Sequence, residues 1–214
     1  MVVPYSHAMR KILIFLALTV AAIVDGGFIL ADDATDAKIF FADYPAVAAK
    51  AKAGNARDAM VEMDSTIAKI SASPWKEIAL FKKSQLAESV DAGIARIGYQ
   101  TVQDRLKNNA VSSPTLLSTL TEGSRRALRR LQLADVTAAL EMYYKKRVEY
   151  PETLQVLADK KLLPSAKLRD DAGQPISYKV MTNPAAPKIP RQRYSLDVPP
   201  VKPFAPRAAA IAIG

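Results

Sequence analysis

The stretch LQLADVTAALEMYYKKRVEYPETLQVLADKKLLPSAKLRDDAGQPISYKV (residues 131–180), followed by RYSLDV (residues 193–198), decides the fold of the C-terminal half. Its apolar spacing predicts a helix that ends before Pro151, because proline biases the residue before it towards an extended conformation. A second short helix follows. A polar turn over residues 170–174 then leads into two runs that alternate apolar and polar residues, the pattern of strands.

The two predicted strands each place their apolar side chains on one face. These side chains belong to Ile176, Tyr178 and Val180 in the first strand and to Tyr194, Leu196 and Val198 in the second. A two-stranded sheet needs a covering element to be stable, and the helix over residues 131–144 is suited to this role. The sequence therefore predicts an α+β fold, mainly α, with a long helix packed on a small antiparallel hairpin.

Helices are also predicted throughout residues 32–112. Ser73-Pro74 combines an N-cap serine with a proline in the first helical turn. Apolar residues at helical spacing predict that this helix runs to about Leu106; they are Leu86, Val90, Ile94 and Ile97. We expect Trp75, the only tryptophan, to be a packing anchor.

Ser113-Pro114 repeats this signal and predicts a helix that runs to about Lys146. Gly123 is the expected point of a kink or an interruption. Glu141 stands four residues before Lys145, which predicts an ion pair on the helix surface.

The N-terminal segment, residues 1–31, is typical of an export signal, with Arg10 and Lys11 before an apolar run. Two alternatives stay open: cleavage after Ala31, or retention of residues 12–31 as a membrane anchor. Either one places the bulk of the chain outside the cytoplasm, in the periplasm. The proline-rich tail, residues 199–214, predicts an extended arm.

Composition restricts the chemistry of the chain. There is no cysteine, which excludes disulfides and thiolate ligands, and the only histidine is His7 in the N-terminal segment. We therefore expect a protein that is not an enzyme and that holds no cofactor or metal. Asp170, Asp171 and Asp197 are interpreted as turn residues, with calcium binding as the alternative.

The net charge of +9 predicts anionic partners. The four arginines at positions 125, 126, 129 and 130 (Arg125, Arg126, Arg129 and Arg130) are interpreted as a solvated face, or as a contact for lipid phosphates or an acidic partner. Nucleic acid is not an expected partner, because an exported chain would not routinely meet it.

Residues 138–144 (AALEMYY), Tyr150-Pro151, residues 170–178 (DDAGQPISY) and residues 194–196 (YSL) together resemble the type II secretion major pseudopilins and related pilin-like proteins. The resemblance covers about residues 131–198 and does not extend to the prepilin N-terminus. It implies a helix that exits through a Tyr-Pro loop into a small sheet.

The resemblance also implies which residues are structural or interaction positions: Tyr143, Tyr144, Tyr150, Pro151, Gly173, Pro175 and Tyr178. The predicted organisation is a signal or anchor (1–31), a helical region (32–112), a pseudopilin-like module (113–198) and a tail (199–214). The predicted function is a non-catalytic cell-envelope protein that contacts other envelope proteins, or an anionic membrane surface, in a secretion- or pilus-type or other membrane-associated assembly. A soluble periplasmic helical adaptor is the alternative.

Overall fold

The computed structural model describes residues 31–71, 74–108, 111, 113–170, 173–181 and 193–197; most of the predicted export segment and the whole tail lie outside these residues. The elements are α1 (Ala31–Lys52), α2 (Ala56–Lys69), α3 (Trp75–Ala87), α4 (Ala92–Asn108), α5 (Pro114–Arg147), α6 (Gln155–Asp159), a 3₁₀ helix (Ser165–Leu168), β1 (Ser177–Met181) and β2 (Arg193–Asp197). The strands pair antiparallel. The predicted class, α+β and mainly α, is confirmed.

The chain forms two compact units, and the division falls between Ser124 and Arg125, inside α5. Among the described residues, unit 1 covers 31–124 and unit 2 covers 125–197. Each unit has a hydrophobic core of its own.

Unit 1 is built from helices that pack in sequence order, α1 on α2, α2 on α3 and α3 on α4. Trp75 lies in its core, and its ring centroid is 5.7 Å from that of Phe40 and 5.2 Å from that of Phe41. The prediction of a packing anchor is confirmed. Other buried members include Val47, Met63, Ile70, Ile78, Val102, Leu106, Leu116 and Leu120.

The predicted continuous helix through residues 86–97 is wrong. Helix α3 ends at Ala87 and α4 begins at Ala92. The side chain of Asp91 caps α4, because its Oδ1 accepts hydrogen bonds from the N–H groups of Gly93 (2.6 Å) and Ile94 (3.1 Å). Ile94 and Ile97 are 47% and 66% exposed. The face of α4 that packs instead carries Ala95, Tyr99, Val102 and Leu106.

Two buried carboxylates fasten the helices of unit 1. Asp36 in α1 accepts hydrogen bonds from the N–H of Ser71, at 3.1 Å to each oxygen, and so holds the end of α2. Glu77 in α3 is fully buried. Its Oε1 accepts from Arg105 of α4, 2.9 Å from Nε and 2.8 Å from Nη2.

Helix α5 begins as predicted, with Ser113 Oγ accepting a hydrogen bond from the N–H of Leu116 at 3.3 Å. The helix is not interrupted at Gly123 but continues to Arg147. The missing side chain has a packing role, because a Cβ at Gly123 would lie 2.9 Å from Cζ of Phe81.

Unit 2 packs the second part of α5 against the hairpin. Its core combines Val136, Ala139 and Leu140 of α5 with Leu154, Leu157, Leu163, Leu168 and Ile176, and partly buried Tyr178, Tyr194 and Leu196 pack against it. Ser177 lies opposite Asp197 and Met181 opposite Arg193 in the hairpin register. Burial alternates along β1, as the sequence pattern predicts.

Candidate interaction site

The end of α5 meets the hairpin through a cluster of tyrosines. The rings of Tyr144 and Tyr150 stack with centroids 4.7 Å apart. Tyr194 of β2 packs edge-on against Tyr150 at 4.6 Å, and Tyr178 of β1 lies 5.9 Å from Tyr194. Three predicted interaction residues, Tyr144, Tyr150 and Tyr178, therefore share one cluster. Tyr143 is partly buried against the same core.

The chain reversal after α5 is held by two tyrosine hydroxyl groups. The Tyr178 hydroxyl donates a hydrogen bond to the carbonyl oxygen of Pro151 at 2.7 Å. The Tyr150 hydroxyl donates to Oε1 of Glu141 at 2.7 Å. Burial, followed by the bond to Glu141, raises the pKa of the Tyr150 hydroxyl well above its usual value. Pro151 is itself buried, so this corner is a fixed part of unit 2.

The turn before β1 uses the predicted chemistry. Gly173 has a φ of +77°, a conformation that glycine adopts without strain. Asp170 Oδ1 accepts from the N–H of Gln174 at 2.7 Å. Pro175 forms an isolated antiparallel bridge with Arg169, and the regular pairing of β1 with β2 begins at Ser177. Calcium binding, the alternative prediction for this turn, involves the side chains of Asp171 and Asp197, which lie outside the described residues.

The four predicted arginines form a second group, far from the tyrosine cluster along α5. Arg125 and Arg129 are half-buried, whereas Arg126 and Arg130 are exposed, and each of the four has an interaction within the chain. Thirteen positions separate Arg130 from Tyr143, which corresponds to about 20 Å of helix. The structure therefore does not join the predicted residues into a single site.

An open groove of about 560 Å³ lies beside the start of β1. Leu154, Leu168 and Ile176 form its apolar part, and Glu152 and Arg169 are among its polar residues. Of the predicted structural or interaction residues, only Pro175 and Tyr178 line this groove. The signal for the groove is the pairing of two apolar residues, Leu168 and Ile176, on either side of the polar turn. The N–H of Ile176 donates to the carbonyl of Leu168 at 3.0 Å.

The net charge is concentrated in one part of the chain. The whole of unit 2 spans residues 125–203. It contains sixteen Lys and Arg residues and eight Asp and Glu residues, so it carries a net charge of +8 out of the +9 of the chain. Unit 2 is therefore strongly basic, whereas the rest of the chain is nearly neutral.

Comparison with protein-family models, with curated proteins and with solved structures finds no match for this chain. Among the described residues, no helix has the length and apolar character needed to cross a membrane. The same residues contain no group of three acidic or histidine side chains positioned for a metal ion.

Proposed function

We propose that the protein is an exported, non-catalytic cell-envelope component that acts by protein–protein contact in a secretion- or pilus-type or other membrane-associated assembly, with unit 2 as its contacting module. One observation carries the proposal: Tyr144, Tyr150 and Tyr178 join the end of α5 to the hairpin. Side chains used in this way hold a surface in a fixed shape, which lowers the entropic cost of docking.

The charge of unit 2 specifies the chemistry of the partner. A module with eight excess positive charges attracts acidic surfaces and associates with them faster at low ionic strength. We therefore propose that the protein partner is an envelope protein with an acidic face.

A periplasmic helical adaptor is the second candidate, and the arrangement of unit 1 favours it. Helices α1 to α4 pack in sequence order around their own core. Val61 of α2 and Ile97 of α4 remain 67% and 66% exposed. Apolar side chains at such positions are suited to contact with another protein, in which case unit 1 would be the contacting module.

Photo-crosslinking in the native cell distinguishes the two candidates. A photoreactive amino acid replaces Arg126 or Lys179 in unit 2, or Val61 or Ile97 in unit 1, all of which are exposed. We expect both positions in unit 2 to crosslink the same envelope protein. Crosslinks from unit 1 alone would support the adaptor, and a partner without an acidic face would contradict the proposed recognition. Fractionation and N-terminal sequencing of the mature chain test export.

A further inference from the structure

The end of α5 presents a surface that is both basic and apolar. Lys145, Lys146, Arg147 and Val148 are consecutive exposed residues. Met142, in the preceding helical turn, is 49% exposed. These five residues are called the α5 end patch.

The positive charge of the α5 end patch is not balanced within the described part of unit 2. The ion pair expected between Glu141 and Lys145 does not form; Oε1 of Glu141 instead accepts a hydrogen bond from the hydroxyl of Tyr150. Within the residues that the structure describes, Lys145, Lys146 and Arg147 make no ion pair. Their charges are therefore available to an external anion.

The stability of the fold does not explain why position 148 is a valine. Its φ is +62°, in the left-handed region that is unfavourable for a β-branched residue. Its side chain is 60% exposed, so it contributes little to the core. Glycine is the residue that usually follows a helix in this conformation. Packing within the described part of unit 2 therefore does not account for a valine here.

We infer that the α5 end patch binds the surface of an anionic phospholipid bilayer. Lys145, Lys146 and Arg147 would contact lipid phosphates, while Val148 and Met142 would enter the boundary between headgroups and acyl chains. A bilayer presents anionic groups directly beside apolar chains and requires no complementary shape. This combination matches the patch better than an acidic protein surface, which would satisfy the cations but not Val148. The inference is independent of the proposed protein partner.

Vesicle co-sedimentation of the purified full-length protein tests the inference. Vesicles that contain phosphatidylglycerol are compared with vesicles of phosphatidylcholine alone. Each basic residue near an anionic surface contributes roughly fivefold to partitioning. We therefore expect Lys145→Gln/Lys146→Gln to lower binding to the anionic vesicles about 25-fold. The apolar segment 12–31 is present in every variant, so its contribution cancels.

Lys160→Gln/Lys161→Gln is the matched control. These two lysines are also exposed and also follow a helix in unit 2, so the variant removes the same net charge from another place. We expect it to lower binding about threefold or less, through the long-range field alone. An equal loss in the two double variants would overturn the inference, because net charge alone would then explain binding.

Val148→Thr tests the apolar contact separately, because threonine keeps the β-branched shape and the total charge. We expect a loss of roughly threefold in binding to anionic vesicles, with an unchanged salt dependence. Far-UV circular dichroism verifies that each variant is folded. Wild-type protein that does not prefer anionic vesicles would overturn the inference. Patch-dependent binding to poly-glutamate without vesicle binding would also overturn it and would assign the patch to an acidic protein.

Discussion

The hydroxyl group of Tyr150 donates a hydrogen bond to Oε1 of Glu141 across 2.7 Å and so joins the chain reversal to α5. Tyr150→Phe removes this bond but keeps the ring contacts with Tyr144 and Tyr194. We expect the free energy of unfolding to fall by about 1 kcal/mol, as measured by urea denaturation. Tyr143→Phe is the control, with an expected change within about 0.5 kcal/mol. Equal losses in both variants would contradict the assigned role.

The same hydroxyl makes stability depend on pH. Burial and the bond to Glu141 raise the pKa of Tyr150 in the folded state, whereas an unfolded tyrosine titrates near about 10. The folded state therefore holds this proton more tightly, and its contribution is complete below a pH of about 10 and is lost as the pH rises further. We expect a smaller alkaline loss of stability in Tyr150→Phe. Urea midpoints measured on both sides of this pH test the expectation, and parallel curves for the two proteins would refute it.

Val148→Gly should stabilise the protein. The left-handed conformation costs a residue other than glycine about 1–2 kcal/mol, and Val148→Gly removes this cost. Part of the gain is offset because glycine has greater conformational freedom in the unfolded chain. We expect a net gain of about 1 kcal/mol in the free energy of unfolding. Lys161→Gly, at a φ of +57°, should give a smaller gain because lysine is not β-branched. A lower urea midpoint for Val148→Gly would show that the valine supports the fold.

Gly98→Ala should destabilise unit 1 although alanine is the better helix former. A Cβ at Gly98 would overlap Oγ of Ser84 and lie 3.1 Å from Ser84 Cβ, so α3 and α4 would have to separate. We expect a loss of about 1–2 kcal/mol. Gln100→Ala, at an exposed position of α4, should change the free energy of unfolding by less than about 0.5 kcal/mol. A gain for Gly98→Ala would show that the helices adjust without cost.

Arg105→Met should be strongly destabilising, because Glu77 is fully buried and would lose its ion pair with Arg105. Removal of one member of a buried pair costs about 3 kcal/mol. The double variant Glu77→Leu/Arg105→Met should be more stable than Arg105→Met alone, since the carboxylate at position 77 is then removed together with its partner. Thermal unfolding of the three proteins measures the difference. A double variant that is less stable than the single variant would indicate that Glu77 stabilises the fold in another way.

Signals that act within a few residues predicted local structure well. Ser113-Pro114 marks the start of α5 because the serine side chain caps the first turn. The alternation of Ile176, Tyr178 and Val180 identifies the less exposed face of β1 and of the residue before it. In both cases the relevant physics is contained in the local sequence.

The errors arose where two signals competed or where distant residues meet. The apolar spacing of Ile94 and Ile97 suggested one long helix, but the capping carboxylate of Asp91 begins a new one and turns both side chains outward. The expected partner of Glu141 was Lys145, four residues away. The observed partner is Tyr150, which reaches this carboxylate only after the chain has reversed, and helical periodicity does not encode that reversal.

Trp75, the only tryptophan in the chain, lies in the core of unit 1 beside Phe40, whereas the aromatic cluster of unit 2 consists of tyrosines. Tryptophan emission therefore reports the unfolding of unit 1, and far-UV circular dichroism reports the helices of both units. The two signals give coincident urea transitions only if the units unfold together. The distribution of aromatic residues thus supplies a label-free measure of cooperativity between the units.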